Sequence, residues 1–172
     1  NNNFNKYKGM AYYTKIILDV LKKLFEINNT IVISTSTIQK NNNVIFMEAQ
    51  DITKYIETEF VSSIKNNSVV VDKETVQTFQ YEDITGKLKM NIQQGLIEDT
   101  EKLAYRVNFN LNFGKTYEEV ITIEKLEETL KQINNSIFNL YKEILKVDFL
   151  DLLINSKEKN IFGINKNNGG NK

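Results

Sequence analysis

Tyr105-Arg106-Val107-Asn108-Phe109-Asn110-Leu111-Asn112-Phe113 places a large apolar residue at every odd position and a polar one at every even position. Residues two apart share a face of a strand, so this stretch predicts a β-strand with one buried and one wet face. On a helix the same side chains would spread round the whole circumference. Lys87-Leu88-Lys89-Met90-Asn91-Ile92-Gln93 alternates in the same way and carries on through Leu96. Gly114-Lys115 has the form of a two-residue hairpin turn, and Thr116 to Ile123, rich in β-branched and aromatic residues, reads as a third strand. The expectation is an antiparallel meander over residues 87–123, with Glu98-Asp99-Thr100-Glu101-Lys102 as its first polar turn.

A one-faced sheet needs helices to cover it, and the chain supplies them. Tyr13, Ile16, Ile17, Val20, Leu21, Leu24 and Phe25 recur at helical spacing, and Asn28-Asn29 ends that pattern. Such a stripe has to be covered by its own domain, by a partner helix or by a membrane surface; with only Lys15, Lys22 and Lys23 for a cationic face, the membrane is the weakest of the three. A second stripe, Leu126, Leu130, Ile133, Ile137, Leu140, Tyr141, Ile144 and Leu145, predicts a long C-terminal helix capped by Thr122, with Asp148 capping a short continuation over Phe149 to Ile154.

Between the first helix and the meander, Thr30 to Ile38 is β-prone. Asn41-Asn42-Asn43 punctuates it, and Val44-Ile45-Phe46-Met47 is a further strand or the lead into the next helix. Asp51 caps a helix carrying Ile52, Tyr55, Ile56, Phe60 and Ile64, which Asn66-Asn67 stops. Ser68-Val69-Val70-Val71 reads as a short buried strand, and Asp72 as the cap of a short helix over Lys73 to Gln80. A strand, a helix and a strand in succession predict a crossover unit with a parallel pair. The fold class is therefore α/β of the α+β kind: a mixed sheet with a strand-helix-strand unit, the meander, and helices packed on one sheet face. Residues 1–10 read as a flexible lead, 11–154 as a single domain and 155–172 as a flexible tail.

Composition narrows the chemistry. Lys plus Arg and Asp plus Glu number 22 each, giving zero net charge, and without a basic run the chain lacks the electrostatic footprint of a nucleic-acid binder. There is no cysteine and no histidine. Disulfides, thiol nucleophiles and thiolate metal sites are thereby excluded, and the commonest general base and metal ligand is missing. No cofactor or metal is expected. No apolar run approaches the roughly 20 residues that span a bilayer. The glycines are too scattered for a phosphate-cradling loop.

Carboxylates do occur in pairs, at Glu82-Asp83, Glu98-Asp99, Glu118-Glu119 and Glu127-Glu128. Acid-base work needs burial that splits two pKa values, yet neighbours on a strand point to opposite faces and Glu127-Glu128 beside Glu124 reads as a solvated helix face. Ser34, Ser36, Ser62 and Ser63 have no recognisable base. The wet face of the meander is the candidate binding surface: Lys87, Lys89, Asn91 and Gln93 from one strand, and Arg106, Asn108, Asn110 and Asn112 from the next. Amides and cations together can accept a sugar, a peptide edge or an acidic partner. Arg106 is the chain's only arginine. The wider abundance of Asn, Lys and Ile matches an AT-rich codon bias.

The order of Thr30-Ile-Val-Ile-Ser-Thr, Asp51-Ile-Thr-Lys-Tyr-Ile-Glu-Thr-Glu-Phe-Val and Ser68-Val-Val-Val-Asp-Lys-Glu-Thr-Val resembles a family of bacterial envelope domains. These are the lipoproteins of curli secretion and penicillin-binding-protein activation, together with the amino-terminal domain of TolB. Lys73 stands where that family has arginine, its Gly-Ala-Asp stretch is missing, and the long helix from Thr122 lies outside the likeness, which spans about half the chain. The resemblance implies a non-enzymatic adaptor tethered by a polar lead such as Asn1 to Gly9, periplasmic or surface-anchored rather than cytoplasmic or virion. Asn1 is not a methionine, which fits a processed chain with a cleaved signal peptide, or a piece of a longer one.

The functional expectation is a non-enzymatic protein-binding or assembly module, its partner another protein, with self-association through the 11–27 helix as one mode. The alternative is a structural subunit of a larger assembly such as a phage or secretion-machine particle. A carboxylate-dependent hydrolase is the third.

Overall fold

The computed structural model describes residues 9–57, 72–96 and 102–155. The elements are α1 (Met10–Ile27), β1 (Thr35–Phe46), α2 (Ala49–Tyr55), β2 (Asp72–Tyr81), β3 (Ile84–Leu96), β4 (Leu103–Thr116), α3 (Ile123–Ile144) and α4 (Val147–Asn155). The four strands form one antiparallel sheet in the order β1-β4-β3-β2. The class is the expected α+β, with an antiparallel sheet and the long C-terminal helix in place; of the meander expected over residues 87–123, two strands form. None of the described helices is long and apolar enough to cross a membrane.

The alternation that opened the sequence decides the sheet. Val107, Phe109, Leu111 and Phe113 of β4 are buried, as are Ile84, Leu88, Met90 and Ile92 of β3, while Lys87, Lys89, Arg106 and Asn112 are exposed. Along α3, Leu126, Leu130, Ile133, Ile137, Leu140 and Ile144 are buried as one stripe. Thr122 caps this helix as expected, its Oγ1 accepting from the Lys125 amide at 3.2 Å.

By contacts the chain divides into two units, each described by itself: Asn1–Asn41 with Val76–Lys89 and Phe109–Asn139, and Asn42–Thr75 with Met90–Asn108 and Leu140–Lys172. In the first unit, Gly86 gives the Phe113 ring its room, since a Cβ there would fall 2.2 Å from Phe113 Cε1. Tyr81 stacks on the same ring at 5.9 Å. In the second, Phe46, Tyr55 and Phe149 form a mutual aromatic cluster with centroids 5.4 to 6.2 Å apart. Beside it Ile56 and Leu145 make an antiparallel bridge, with the Glu57 amide donating to the Ile144 carbonyl at 2.8 Å and the Lys146 amide to the Tyr55 carbonyl at 2.9 Å.

Several local expectations are corrected. The short helix over Lys73 to Gln80 is instead β2: Thr75, Val76, Thr78, Phe79 and Tyr81 favour extended backbone. The described strands are all antiparallel, and the Ser68-Val71 strand expected to complete a parallel pair lies outside the described residues. Gly114-Lys115 is not a turn. A Cβ on Gly114 would lie 2.9 Å from the Ser36 carbonyl oxygen, so this glycine admits β1 at close range and β4 runs on to Thr116. Thr116 to Ile123 accordingly forms no third strand. Instead the Tyr117 amide donates to the Ser34 carbonyl at 2.9 Å, and its hydroxyl shares a 2.7 Å hydrogen bond with Ser36 Oγ. Asn41-Asn42-Asn43 does not interrupt β1, since Asn42 Nδ2 donates to the Tyr141 hydroxyl and holds the strand through the polar run. The α2 helix stops at Tyr55; Phe60, Ile64 and the expected Ser68-Val71 strand lie outside the described residues, as do Asn1 to Lys8 and residues 156–172.

Candidate functional site

The polar sheet residues expected to form a binding surface fall into both units and are placed there separately. In the first, Lys87, Lys89 and Asn112 are exposed and Asn110 is half-buried, its Oδ1 accepting from Gln39 Nε2 at 3.4 Å. In the second, Gln93 and Arg106 are exposed while Asn91 and Asn108 are half-buried. Asn91 Oδ1 is enclosed and accepts no hydrogen bond from the described residues.

The carboxylate pairs are not gathered into a site. Glu118 and Glu119 are exposed in a bend between Thr116 and α3, not on a strand. On α3, Glu128 pairs with Lys125 at 3.1 Å and Glu127 with Lys131 at 2.7 Å, both along the helix itself. The Asp83 carboxylate pairs with Lys115, whose ammonium group holds it below the usual aspartate range. Glu98-Asp99 and the serines Ser62 and Ser63 lie outside the described residues. Among the described residues no group of three acidic side chains could hold a metal ion.

Two partly buried titratable groups sit where β1 meets α3. In the first unit Lys40 Nζ donates to Asn134 Oδ1 at 2.7 Å, and desolvation lowers its pKa. In the second, burial pushes the Tyr141 hydroxyl up to about 12, against the opposing effect of the Asn42 hydrogen bond. Each is accounted for by the strand it holds to the helix.

The surface that departs most from an ordinary soluble face is α1, in the first unit. Its stripe is helical as expected but is covered only along one edge, where Tyr13, Leu21 and Phe25 are half-buried; the buried residues of α1 are Thr14 and Leu18. Ile16, Ile17, Val20, Leu24 and Ile27 are between 42 and 83 % exposed. The opposite side of the helix looks toward α3 across an open cleft of about 600 Å³, lined among others by Lys15, Leu18 and Lys22 of α1 and Leu130 and Lys131 of α3. Sequence periodicity finds such a stripe but is blind to which side of a helix receives its cover. The contrast with α3, whose Leu126, Leu130, Ile133, Ile137, Leu140 and Ile144 are all buried, is visible only in the structure.

Electrostatics at the α1 and α3 ends are mild. Glu124, at the start of α3, is held below its usual value by its own backbone amide and the Thr122 hydroxyl, with a smaller contribution from Lys22. The α1 helix has no acidic residue in its first turn and no basic residue in its last. The cleft mixes Lys15, Lys22 and Lys131 with Asp19 and Glu127, so it presents neither a cationic nor an anionic cradle. The chain matches no protein-family model, no curated protein and no solved structure.

Proposed function

We propose that the protein is a non-enzymatic protein-binding or assembly module whose docking surface is the apolar face of α1. The observation that carries this reading is the row of five large aliphatic side chains on one helix face, all more than two-fifths exposed. Burying such a side chain is worth about 1.5 to 3 kcal/mol, and contiguous apolar surface of this kind marks contact with another macromolecule. The exposed polar residues of β3 and β4 in the first unit, Lys87, Lys89 and Asn112, offer a second, weaker contact surface. The likeness to envelope adaptor domains in the order of segments from Thr30 to Val76 favours an envelope setting for the same activity.

The test is a photo-reactive amino acid placed at Val20, with Lys87 on the polar sheet face as the comparison, in cells making the full chain. Protein adducts at Val20 are expected. Absence of any protein adduct at Val20 overturns the assignment, and adducts confined to Lys87 transfer docking to the sheet.

A further inference from the structure

We infer that the occupant of the α1 face is a second copy of this chain, the two helices lying antiparallel about a two-fold axis at Val20. This rests on α1 being the docking surface, and adds to it the partner and the geometry. Tyr13, Ile17, Val20, Leu24 and Ile27 are spaced alternately four and three residues apart, the seam spacing of a helix pair that interlocks side chains along its length. Reversed about Val20, the apolar face meets itself at three levels, Tyr13 with Ile27 of the other copy, Ile16 with Leu24 and Val20 with Val20, while Ile17 lies level with the methylene stem of Lys23. An isologous contact of this sort closes on two copies and leaves no free face for growth.

Charge sets the direction. Asp19 and Lys23 are exposed and, four residues apart, share one flank of the apolar row. The other flank, Thr14, Leu21 and Phe25, has no charge. In an antiparallel pair like flanks meet, so Asp19 of each copy lies beside Lys23 of the other and the two ion pairs form reciprocally. In a parallel pair each charged flank would meet a neutral one and both pairs would be lost. The helix ends argue the same way. With no acidic side chain in the first turn and no basic one in the last, the partial charges of the α1 dipole are uncompensated by its own residues. An antiparallel neighbour sets positive end beside negative end.

A membrane surface is the competing occupant. It would call for a predominantly cationic polar face, whereas Asp19 and Glu26 offset two of Lys15, Lys22 and Lys23.

Sedimentation equilibrium of the full chain between about 1 and 100 μM decides the matter. The expected result is concentration-dependent association to twice the 20.0 kDa chain mass. Val20→Asp should leave a folded monomer over that range. Asp19→Lys and Lys23→Asp are exposed changes and should each weaken association about tenfold by replacing attraction with repulsion. An equimolar mixture of these two variants should regain near wild-type affinity, because each supplies the charge the other now lacks. A wild-type chain that stays monomeric throughout overturns the self-pairing, as do association beyond a dimer, single charge variants that associate like wild type, and a monomer that binds vesicles containing anionic lipid. A monomeric wild type that still yields adducts with a different protein at Val20 removes only the second copy. A wild type giving no adducts removes the docking surface itself.

Discussion

Replacing Gly86 by alanine probes a point of close packing in the core. The new methyl carbon would lie 2.2, 2.4 and 2.6 Å from Cε1, Cζ and Cδ1 of Phe113, where carbon atoms rest at about 3.5 Å. The ring must therefore withdraw by about 1.3 Å along the line of closest approach. It has little space to do so: Phe113 is completely buried and stacked on Tyr81 at 5.9 Å. Overpacking of this kind costs about 3 kcal/mol. Gly86 does not occupy the left-handed region, so alanine adds no backbone strain, and the reduced freedom of the unfolded chain returns about 0.5 to 1 kcal/mol. The net loss is about 2 kcal/mol, which at a slope of about 2 kcal/mol per molar urea moves the unfolding midpoint down by about 1 M. Gly95→Ala is the internal control, because a Cβ there meets nothing within 4 Å; it should be neutral or stabilising by up to about 1 kcal/mol. Phe113→Leu in the Gly86→Ala background should recover part of the loss, a coupling of about 1 kcal/mol. Urea unfolding followed by circular dichroism reads wild type, the three single variants Gly86→Ala, Gly95→Ala and Phe113→Leu, and the double variant. A Gly86→Ala chain as stable as wild type, or a double variant whose loss is the simple sum of the singles, would refute the steric account.

Glu82 holds a positive φ of 53° at the β2–β3 turn, and Glu82→Gly should raise stability by up to about 1 kcal/mol in the same urea assay. Asp83 has its pKa depressed by Lys115, so its contribution is present above the unfolded value near 4 and fades as pH falls through the folded value. Because Asp83 is exposed, Asp83→Asn should cost only about 0.2 to 1 kcal/mol at pH 7, and the cost should shrink as pH falls through the folded value; a loss that does not diminish with falling pH would contradict the ion pair. Tyr141 has the opposite sign. With its hydroxyl raised to about 12, the folded state keeps a proton that the unfolded state releases from about pH 10, so stability is full below that and declines between the two values. The ultraviolet titration of wild type minus Tyr141→Phe should show this late step, and Asn42→Ala should delay it further, since the Asn42 hydrogen bond works to lower the value.

What could be read from the chain beforehand follows from how local each signal is. The strict alternation of β3 and β4 and the α3 stripe specify both element and buried face, because side-chain period and cover coincide there. The Thr122 cap is equally local. β2 was obscured because Asp72-Lys73-Glu74 imitates a capped helix start, although Val76 to Tyr81 is β-prone throughout. The Asn41-Asn42-Asn43 run imitates a loop, and it is pairing with the distant β4, with the Asn42 bond to Tyr141 beside it, that keeps it in the strand. Gly114 imitates a turn glycine because the approach of Ser36, from far earlier in the chain, leaves no trace in the neighbouring residues. The α1 stripe was legible as a helix, yet its exposure was not, since amphipathicity states what must be covered and not by whom.

The bridge between Ile56 and Leu145 fastens the end of α2 to the end of α3, with Lys146 Nζ adding a 2.8 Å bond to the Thr53 carbonyl. The stretch of chain between these two residues contains three of the four strands, so this small clasp closes a large loop without any covalent link. Opening it would untie α2 from α3 while the sheet's own ladder stayed intact, a sub-global excursion rather than complete unfolding. The amide protons of Glu57 and Lys146 are therefore gauges of that partial release, distinct from the protons deep in β4 that exchange only when the whole sheet comes apart.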